Sequence, residues 1–328
     1  MKADADPNLI VYFGGEYVPM REARIGILTH ALHYGTGVFE GIRAYWNETA
    51  RELYVLRPME HYERWKRNCG ILRIDVPRTP AELCSITIEL ARRNAFHADL
   101  YIRPLAYKSA ERIGVAIDDQ DSFFIAAVPY GEYLKSENGL HAGVSSWRRI
   151  EDNAIPPRAK ICGAYANSAL AGDDARRSGF DEAILLNENG HVTEGATCNL
   201  FMMRKGRLIT PAVTDNILEG ITRDSIIELA ARELGIETIE RPIARSELYV
   251  SDELFLTGTA VGLAPVVRVD HRAVANGAIG EVTRRLRQLY FAATHGNLPA
   301  YRKWLLPVYA SSRQMDQNTA RVAETSLA

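Results

Sequence analysis

The sequence predicts an α+β protein with mainly antiparallel sheets and helices packed on their outer faces. Short apolar runs alternate with polar residues at every second position, which is typical of strands with one buried face. A stretch rich in glycine, proline and charge covers residues 131–160 and separates two such regions. We therefore expect a small N-terminal domain over 1–134, a linker over 135–140, a large C-terminal domain over 141–310, and a polar tail over 311–328 whose composition is typical of disorder.

Turn and cap residues mark the elements of the N-terminal domain. Gly14 and Gly15 form the turn of a hairpin, and Thr79 followed by Pro80 is a strong helix start. The predicted elements are a hairpin over 9–18, a short helix from Thr29 to Tyr34 that stops at Gly35, strands over 38–45 and 52–56, helices over 59–71 and 80–96, and strands over 100–107 and 122–129.

Glycines also mark the elements of the C-terminal domain. Tight turns at Gly190 and Gly206 predict a meander of short strands, and Gly235 ends a helix with a regular apolar face. The predicted elements are a helix over 165–178, strands over 182–186, 191–194, 200–203 and 207–210, a helix over 222–234, a strand over 253–256 and a last helix over 278–293.

Composition and motif content exclude several classes of function. The 328 residues are 47% hydrophobic and 24% charged, with a formal net charge of -2, which argues against a nucleic-acid partner. The N-terminus does not have the pattern of a signal peptide, and apolar runs such as 123–128 are too short to span a membrane. The four cysteines are far apart and the eight histidines are scattered. We therefore expect a cytoplasmic protein with reduced thiols, no metal site and no membrane association.

Nucleotide-binding and common hydrolase motifs are missing, so candidate catalytic residues have to be identified one by one from their sequence neighbours. The sequence has no GxGxxG after a strand, no GxxxxGK[ST], no HExxH and no GxSxG. Lysine is rare, with 7 lysines against 32 arginines, and Lys160 alone lies in small apolar surroundings, between Ala159 and Ile161. Burial there would lower the pKa of the amine and make it a nucleophile. A lysine that extends its amine from a strand end to solvent explains the same pattern.

Three further features favour the chemical interpretation of Lys160. Residues 220–224 open a helix, where backbone amides bind phosphate well and Thr222 can cap and donate. Residues 257–260 form a turn of small residues straight after a strand, with amides available for an anion. Glu194 lies at a strand end, where a buried carboxylate needs a cationic partner such as a protonated pyridine nitrogen. A Schiff-base lysine, two phosphate-sized sites and this acid together describe pyridoxal phosphate chemistry.

With these residues in view, the chain resembles the class IV pyridoxal-phosphate enzymes of fold type IV, the D-amino-acid aminotransferase-like fold. The resemblance is strongest to the branched-chain amino acid aminotransferases. It extends over residues 9–308, and each matching stretch is weak alone, whereas the set in family order is very specific. The matching stretches are 30–45 (HALHYGTGVFEGIRAY), 101–105, 145–149, 160–165, 194–199, 220–223 and 258–260.

The resemblance implies a role for each matching residue. Lys160 would be the catalytic residue and would carry the cofactor, Tyr165 would bind the cofactor's 3-oxygen, and Glu194 would keep its ring nitrogen protonated. The implied cofactor-binding set is Arg64, Lys160, Tyr165, Glu194, Asn199, Gly220, Ile221, Thr222, Gly258 and Thr259. The implied substrate-binding set is Tyr34, Phe39, Gly41, Arg43, Tyr101, Arg103, Ile113, Val115, Tyr133, Thr259 and Ala260, with Arg103 on the distal carboxylate of glutamate or 2-oxoglutarate.

The implied activity is transamination of L-leucine, L-isoleucine and L-valine with 2-oxoglutarate, in branched-chain amino acid biosynthesis. In the family, a loop of the neighbouring subunit helps to close the pocket, and Ile113 and Val115 match it. The resemblance therefore also implies a homo-oligomer, at least a dimer.

Several alternatives remain open. Ala164 stands where an asparagine is common, and residues 261–265 lack an acid that often follows the Gly-Thr-Ala turn. These departures leave room for activity on D-amino acids or (R)-primary amines, or for an aminodeoxychorismate-type lyase. Enzymes acting on D-amino acids normally carry an Arg-x-His carboxylate trap, whereas Arg103 is followed by Pro104 and Leu105. A non-catalytic α+β binding protein is the remote alternative.

Overall fold

A computed structural model describes residues 6–131 and 137–310, which form two large sheets with helices packed on them. The helices are α1 (His30–Tyr34), α2 (Pro58–Ile71), α3 (Pro80–Arg93), α4 (Tyr165–Arg177), α5 (Ile221–Leu234) and α6 (Glu281–Thr294). The strands are β1 (Ile10–Phe13), β2 (Glu16–Pro19), β3 (Gly37–Phe39), β4 (Ile42–Asn47), β5 (Glu52–Leu56), β6 (Leu100–Lys108), β7 (Asp121–Pro129), β8 (Leu140–Arg148), β9 (Glu182–Leu186), β10 (His191–Gly195), β11 (Asn199–Arg204), β12 (Arg207–Thr210), β13 (Thr238–Glu240), β14 (Ile243–Ala244), β15 (Glu253–Gly258), β16 (Gly262–Val269), β17 (Arg272–Ala273) and β18 (Leu305–Pro307). The predicted α+β class is confirmed.

The first sheet is antiparallel, in the order β18-β5-β4-β6-β7-β1-β2, and β3 pairs with β6 beside it. α2 and α3 cover one face, where Tyr62 and Trp65 are fully buried. α3 begins as predicted. The Thr79 hydroxyl accepts the backbone N–H of Glu82, and the Glu82 carboxylate accepts the backbone N–H of Thr79.

The second sheet has the order β13-β12-β11-β15-β16-β8-β9-β10-β14, with β17 beside β16 and a further pairing of β10 with β11. Its strands are mostly antiparallel, but β8 runs parallel to both β9 and β16, and β12 runs parallel to β13. α5 and α6 cover one face over a core that includes Phe201 and Phe255, whose rings stack 5.1 Å apart. No helix of residues 6–131 or 137–310 is long and apolar enough to cross a membrane.

The structure differs from the predicted elements in several places, and the helix predicted over 80–96 ends at Arg93. The strand over 38–45 is two strands, because the chain leaves the sheet at Glu40 and Gly41, where the N–H of Gly41 bonds the Glu40 carboxylate. β8 lies in the stretch taken for a domain junction. It was not predicted, because its glycine and serines interrupt the alternation of apolar and polar residues. The last helix begins at Glu281 rather than at 278.

The C-terminal strand returns the chain to the first sheet. β18 pairs antiparallel with β5, although it follows the second sheet in the chain. The tail over 311–328 and positions 135–136 of the linker lie outside the described residues. The proposed division at 135–140 therefore stays a prediction.

The two sheets meet at the segment that carries Lys160. Val38 forms an isolated bridge with Ile161, and the N–H of Phe39 donates to the carbonyl of Lys160 at 3.0 Å. Gly35 has a φ of 65°, and a Cβ there would lie 2.6 Å from the Cα of Gly163, so only glycine fits this approach. The seam between the sheets is thus built around the candidate catalytic lysine.

A second lysine is buried as well. Lys108 is 1% exposed, and its Nζ donates to the carbonyls of Arg73 and Asp118 at 2.6 and 2.7 Å and lies 2.8 Å from Oδ1 of Asp121. Its polar sequence neighbours predicted an ordinary lysine. The three oxygens satisfy the amine completely, which indicates a structural role rather than a chemical one.

We expect Lys108→Met to lower the free energy of unfolding by about 3 kcal/mol, because it leaves a carboxylate and two carbonyls without their cation. Chemical denaturation measures the change. The control is Lys303→Met, because Lys303 pairs with Glu228 while 57% exposed, and its loss should cost under about 1 kcal/mol. Equal losses in the two variants would contradict a structural role for the buried amine.

Candidate active site

Lys160 lies before a 3-10 turn over Cys162–Ala164, and Tyr165 follows that turn as the first residue of α4. The Nζ of Lys160 donates to the Tyr165 hydroxyl at 3.0 Å. Burial lowers the pKa of Lys160, but the neighbouring Tyr165 and Glu40 outweigh that effect, and the pKa is raised overall. The sequence-based expectation of a lowered pKa is therefore wrong, because Tyr165 and Glu40 favour the charged amine more than burial disfavours it. In the protein alone, the raised pKa favours the protonated amine, which donates a hydrogen bond to the Tyr165 oxygen.

Glu194 is buried at the end of β10 and is held through both of its carboxylate oxygens. Oε1 lies 2.8 Å from Nη2 of Arg149. Oε2 accepts the side-chain amide of Asn199 at 2.9 Å and the backbone N–H of Leu218 at 3.2 Å. Burial raises the pKa of Glu194, and Arg149 opposes the rise without cancelling it. The predicted cationic partner thus exists within the protein as Arg149, in addition to any bound ring nitrogen.

Asn199 connects Glu194 to the segment before α5. Its side-chain amide also donates to the carbonyl of Leu218 at 2.8 Å. A Cβ on Gly220 would lie 2.0 Å from the Asn199 side-chain oxygen, so Gly220 is required for the close approach. This packing sets the position of the first turn of α5 relative to the acid.

The first turn of α5 offers free backbone donors. Gly220 is the N-cap, and no side chain caps the helix. The backbone N–H groups of Ile221 and Thr222 therefore have no partner within the helix, and they carry the positive end of the helix dipole. Thr222 lies inside the first turn, so the prediction that it caps the helix is wrong. Its N–H and hydroxyl remain suited to a phosphate.

Arg64 reaches this helix end from α2. Its Nη1 donates to the carbonyl of Glu219 at 2.7 Å, one residue before the N-cap. The other edge of the guanidinium forms a fork with Glu40, with distances of 2.8 and 2.7 Å. Arg64 is buried, with 5% of its surface exposed. A phosphate on the first turn of α5 would lie beside it.

The turn between β15 and β16 faces the same cavity. Gly258 and Gly262 pair across it, and Gly262 has a φ of 67°. Within the described residues, the backbone N–H groups of Thr259 and Ala260 donate to no other residue. Two adjacent free amides are suited to an anion such as a carboxylate or phosphate.

These parts lie around one cavity. The cavity brings together the predicted cofactor-binding residues except Arg64, which does not line it, and several residues that were not predicted. Its lining consists of Arg149, Lys160, Tyr165, Glu194, Ala196, Thr197, Cys198, Asn199, Leu218, Gly220, Ile221, Thr222, Thr257, Gly258 and Thr259. The donors fit pyridoxal 5′-phosphate, because they offer an amine for an aldehyde, an acid for a ring nitrogen and free amides for a phosphate. Across residues 6–131 and 137–310, no three His, Cys, Asp or Glu side chains converge to hold a metal ion.

The substrate side of the site begins at Phe39. Its ring lies edge-on to Tyr165 at 4.6 Å, and the guanidinium carbon of Arg103 lies 4.3 Å from its centre. Arg103 also donates to the Tyr101 hydroxyl at 2.9 Å. A Cβ on Gly41 would lie 2.2 Å from that hydroxyl, so a larger residue would push Tyr101 out of place. Four predicted substrate-binding residues thus form one wall with an apolar face and a cationic edge.

Other predicted substrate residues lie away from this wall. Arg43 is buried between the rings of Tyr45 and Tyr130 and bonds the carbonyl of Gly131. The hydroxyl of Tyr34 accepts the N–H of Gly114. Ile113 and Val115 are 78% and 76% exposed on the same loop as Gly114, so they do not line this chain's own cavity. Tyr133 lies outside the described residues, and its role stays a prediction.

Comparison with known proteins agrees with this geometry. A family model described as amino-transferase class IV matches residues 37–269, more than half of the chain. The probable branched-chain-amino-acid aminotransferase of Aquifex aeolicus (strain VF5) is 49% identical over 299 residues, which is 91% of this chain and 96% of the relative. The chain belongs to the class IV aminotransferases.

Solved structures of this class extend the agreement to the fold and the cofactor. The branched-chain aminotransferase of Thermoproteus uzoniensis, solved with norvaline, is 44% identical, with a TM-score of 0.88 over 92% of this chain and 99% of that one. The enzyme of Thermobaculum terrenum, solved in its pyridoxal-phosphate form, is 38% identical, with the same TM-score and coverage. This class IV aminotransferase uses pyridoxal 5′-phosphate as its cofactor.

Sequence reasoning missed two charged residues of this class IV aminotransferase. Arg149 and Glu40 both lie within matching stretches, but no role was assigned to either. Arg149 follows β8, a strand that was not predicted, and its partner Glu194 is distant along the chain. A buried acid without a cation nearby in sequence is the signal that could have prompted a search for Arg149.

We expect Arg149→Met to shift the acid limb of the pH–activity profile to higher pH. Arg149 lowers the pKa of Glu194 against the effect of burial, so its loss raises that pKa and leaves more of the carboxyl protonated at a given pH. The measurement is kcat against pH. Arg149→Lys keeps the charge and should shift the limb less.

The matched control is Arg148→Met, since the neighbouring Arg148 is exposed and donates to the carbonyl of Glu188. Its profile should match that of the unmodified enzyme. The same shift in both arginine variants, or in neither, would contradict a specific effect on Glu194.

Proposed function

We propose that this class IV aminotransferase transfers the amino group of L-leucine, L-isoleucine and L-valine to 2-oxoglutarate, giving branched 2-oxo acids and L-glutamate. The observation that carries the proposal is the stacking of Arg103 on Phe39 at 4.3 Å. The aromatic face suits a branched apolar side chain. The guanidinium at its edge suits the distal carboxylate of glutamate or 2-oxoglutarate. One pocket can thus accept both partners of the reaction.

The same cavity would hold the cofactor through three kinds of contact. The free amides of Ile221 and Thr222, with Arg64 and Thr259, would bind the phosphate, and Tyr165 would bind the 3-oxygen. Glu194 would hold a proton on the ring nitrogen through one of its carboxylate oxygens. When bound, the cofactor supplies an electron sink for the negative charge that develops at the α-carbon.

Lys160 has two tasks at the same atom. Its Nζ would carry the cofactor, and as a free neutral amine it would move the proton between the α-carbon of the amino acid and the C4′ carbon of the cofactor. Tyr165, at 3.0 Å, provides the oxygen that holds this amine in place and shares its proton. The free N–H groups of Thr259 and Ala260 would bind the α-carboxylate and so orient the α-carbon toward Lys160.

We also propose that the enzyme acts in the cytoplasm as a homodimer whose second subunit helps to close the pocket. The support is a cluster of exposed apolar residues on two neighbouring segments, one that leads into and includes α1 and the other the loop between β6 and β7. Ile27, Leu32, Ile113 and Val115 are 82%, 63%, 78% and 76% exposed. The N–H of Arg112, in the loop between β6 and β7, donates to the carbonyl of Leu28 before α1 and so joins the two segments. An apolar patch of this kind is typical of a protein–protein contact.

The visible absorption spectrum tests the reaction. We expect the holoenzyme to show the visible band of the lysine-bound cofactor, and that band to give way to the pyridoxamine band when L-leucine is added without an oxo acid. Lys160→Ala removes the covalent attachment and should abolish the starting band.

The other outcomes separate the alternatives. If the band resists L-leucine but disappears with D-leucine or an (R)-amine, the assigned donor is wrong while the aminotransferase chemistry stands. If it resists all three, the spectrum favours a lyase. The matched control for Lys160→Ala is Lys205→Ala, because Lys205 lies on an exposed turn.

The dimer is tested by Ile113→Asp. A carboxylate in the apolar contact should weaken association and lower activity together, because each pocket would lose the loop of its neighbour. Sedimentation velocity measures the assembly. Val250→Asp is the control, since Val250 is 56% exposed outside the cluster, and it should leave both assembly and activity unchanged. An active Ile113→Asp monomer would contradict the shared pocket.

A further inference from the structure

Glu40 is fully buried between Arg64 and the wall of the substrate pocket. Its Oε2 accepts Nε of Arg64 at 2.8 Å, and its Oε1 accepts Nη2 at 2.7 Å. The same Oε1 accepts the backbone N–H of Gly41 at 2.9 Å. Both side chains are almost inaccessible to solvent, at 0% for Glu40 and 6% for Arg64. One carboxylate thus joins α2 to the turn between β3 and β4.

The fork on Glu40 determines which donors Arg64 has left. A guanidinium has five N–H groups. Glu40 takes two, and the carbonyl of Glu219 takes a third, on Nη1. Two N–H groups remain, one on each terminal nitrogen, beside the first turn of α5. Without the fork, the guanidinium could rotate about its side-chain bonds and the two donors would lose this direction.

The charge of Glu40 is permanent under ordinary conditions. Burial alone would raise the pKa of this carboxyl, but Arg64 holds it well below its usual range. The Nδ1 of His61 lies 3.6 Å from Oε1, beyond hydrogen-bonding distance. Burial lowers the pKa of His61, so it is neutral at pH 7 and Arg64 provides the compensating charge.

The turn that Glu40 belongs to also carries the substrate wall. Phe39, one residue earlier, stacks against Arg103, and its N–H donates to the carbonyl of Lys160 at 3.0 Å. Gly41, one residue later, contacts Tyr101. A displacement of the Glu40 carboxylate therefore moves the wall as well as Arg64.

We propose that Glu40 is a positioning residue, which aims Arg64 at the cofactor phosphate and couples that orientation to the Phe39–Gly41 wall of the substrate pocket. The proposal goes beyond the proposed function, and its main readout, release of the cofactor, does not depend on which amino acid the enzyme uses. The alternative hypothesis is that Glu40 only competes with the phosphate for Arg64.

Two substitutions separate geometry from charge. Glu40→Gln removes the charge and can accept only one of the two fork contacts. Glu40→Asp keeps the charge but is one methylene too short to hold Arg64 and Gly41 together. If Glu40 positions Arg64, both variants should release pyridoxal 5′-phosphate about tenfold faster than the unmodified holoenzyme, as expected for one charged hydrogen bond. If Glu40 only competes for Arg64, Glu40→Gln should release it more slowly and Glu40→Asp at the normal rate.

Release is measured by diluting holoenzyme into an excess of an apo-enzyme that captures free pyridoxal 5′-phosphate. Glu247→Gln is the matched control, because Glu247 forms a similar fork with Arg241, at 2.9 and 2.7 Å, outside the cavity. Its release rate should be unchanged. Thermal unfolding of each variant shows that it is folded, and Glu40→Asp carries the test if Glu40→Gln does not fold. Normal or slower release in the folded Glu40 variants overturns the proposal.

The coupling to the wall has a separate readout. We expect KM for L-leucine to rise about tenfold in Glu40→Asp at saturating cofactor, while kcat changes less, because the wall binds the side chain and not the reacting atoms. Faster cofactor release with an unchanged KM would overturn the coupling and leave only the effect on Arg64.

Discussion

The site depends on the burial of two carboxylates at the seam between the sheets. Burial acts on Glu40 and Glu194 in the same direction, but the pKa of Glu40 is lowered and that of Glu194 is raised. The difference follows from their arginines. Arg64 meets Glu40 with two parallel hydrogen bonds, whereas Arg149 meets Glu194 through a single close contact at 2.8 Å. Glu40 is therefore a permanent anion, whereas Glu194 keeps an affinity for protons that suits it to a protonated ring nitrogen.

Both arginines also belong to the architecture. Arg64 contacts Glu219 just before α5, and Arg149 contacts the carbonyl of Asn216 in the same connection. The segment that leads into α5 is thus held from α2 of the first sheet and from the end of β8. Since α5 would bind the phosphate through its first turn, the two ion pairs place that turn relative to Lys160. The same two arginines therefore set both the charges of the site and the position of the segment that leads into α5.

Local patterns in the sequence were sufficient for features that depend on local physics. The cap of α3 at Thr79, the glycine ends of α1 and α5, and the free amides at residues 220–222 all follow from neighbouring residues. Apolar neighbours also pointed correctly to Lys160 as a buried amine. The same criterion failed for Lys108, which is more deeply buried although its sequence neighbours are polar, because its three oxygen partners come from other segments. The predicted sign of the pKa shift at Lys160 was wrong because Tyr165 and Glu40 act on the amine through space, and its apolar sequence neighbours do not show these contacts.

The resemblance assigned roles that local sequence patterns could not, but it did not identify the residues that hold each side chain in place. It assigned a phosphate role to Arg64 and a substrate role to Arg103, and the structure adds that neither side chain is free to move. Arg103 is bonded to Tyr101 and stacked on Phe39, and its Nε has no partner among the described residues. A guanidinium is weakly hydrated on its flat faces and donates only at its edge. Its face can therefore extend an apolar wall when leucine is bound, and its edge can bind a carboxylate when glutamate is bound. In this arrangement one side chain would serve both half-reactions, as a single pocket for both substrates requires.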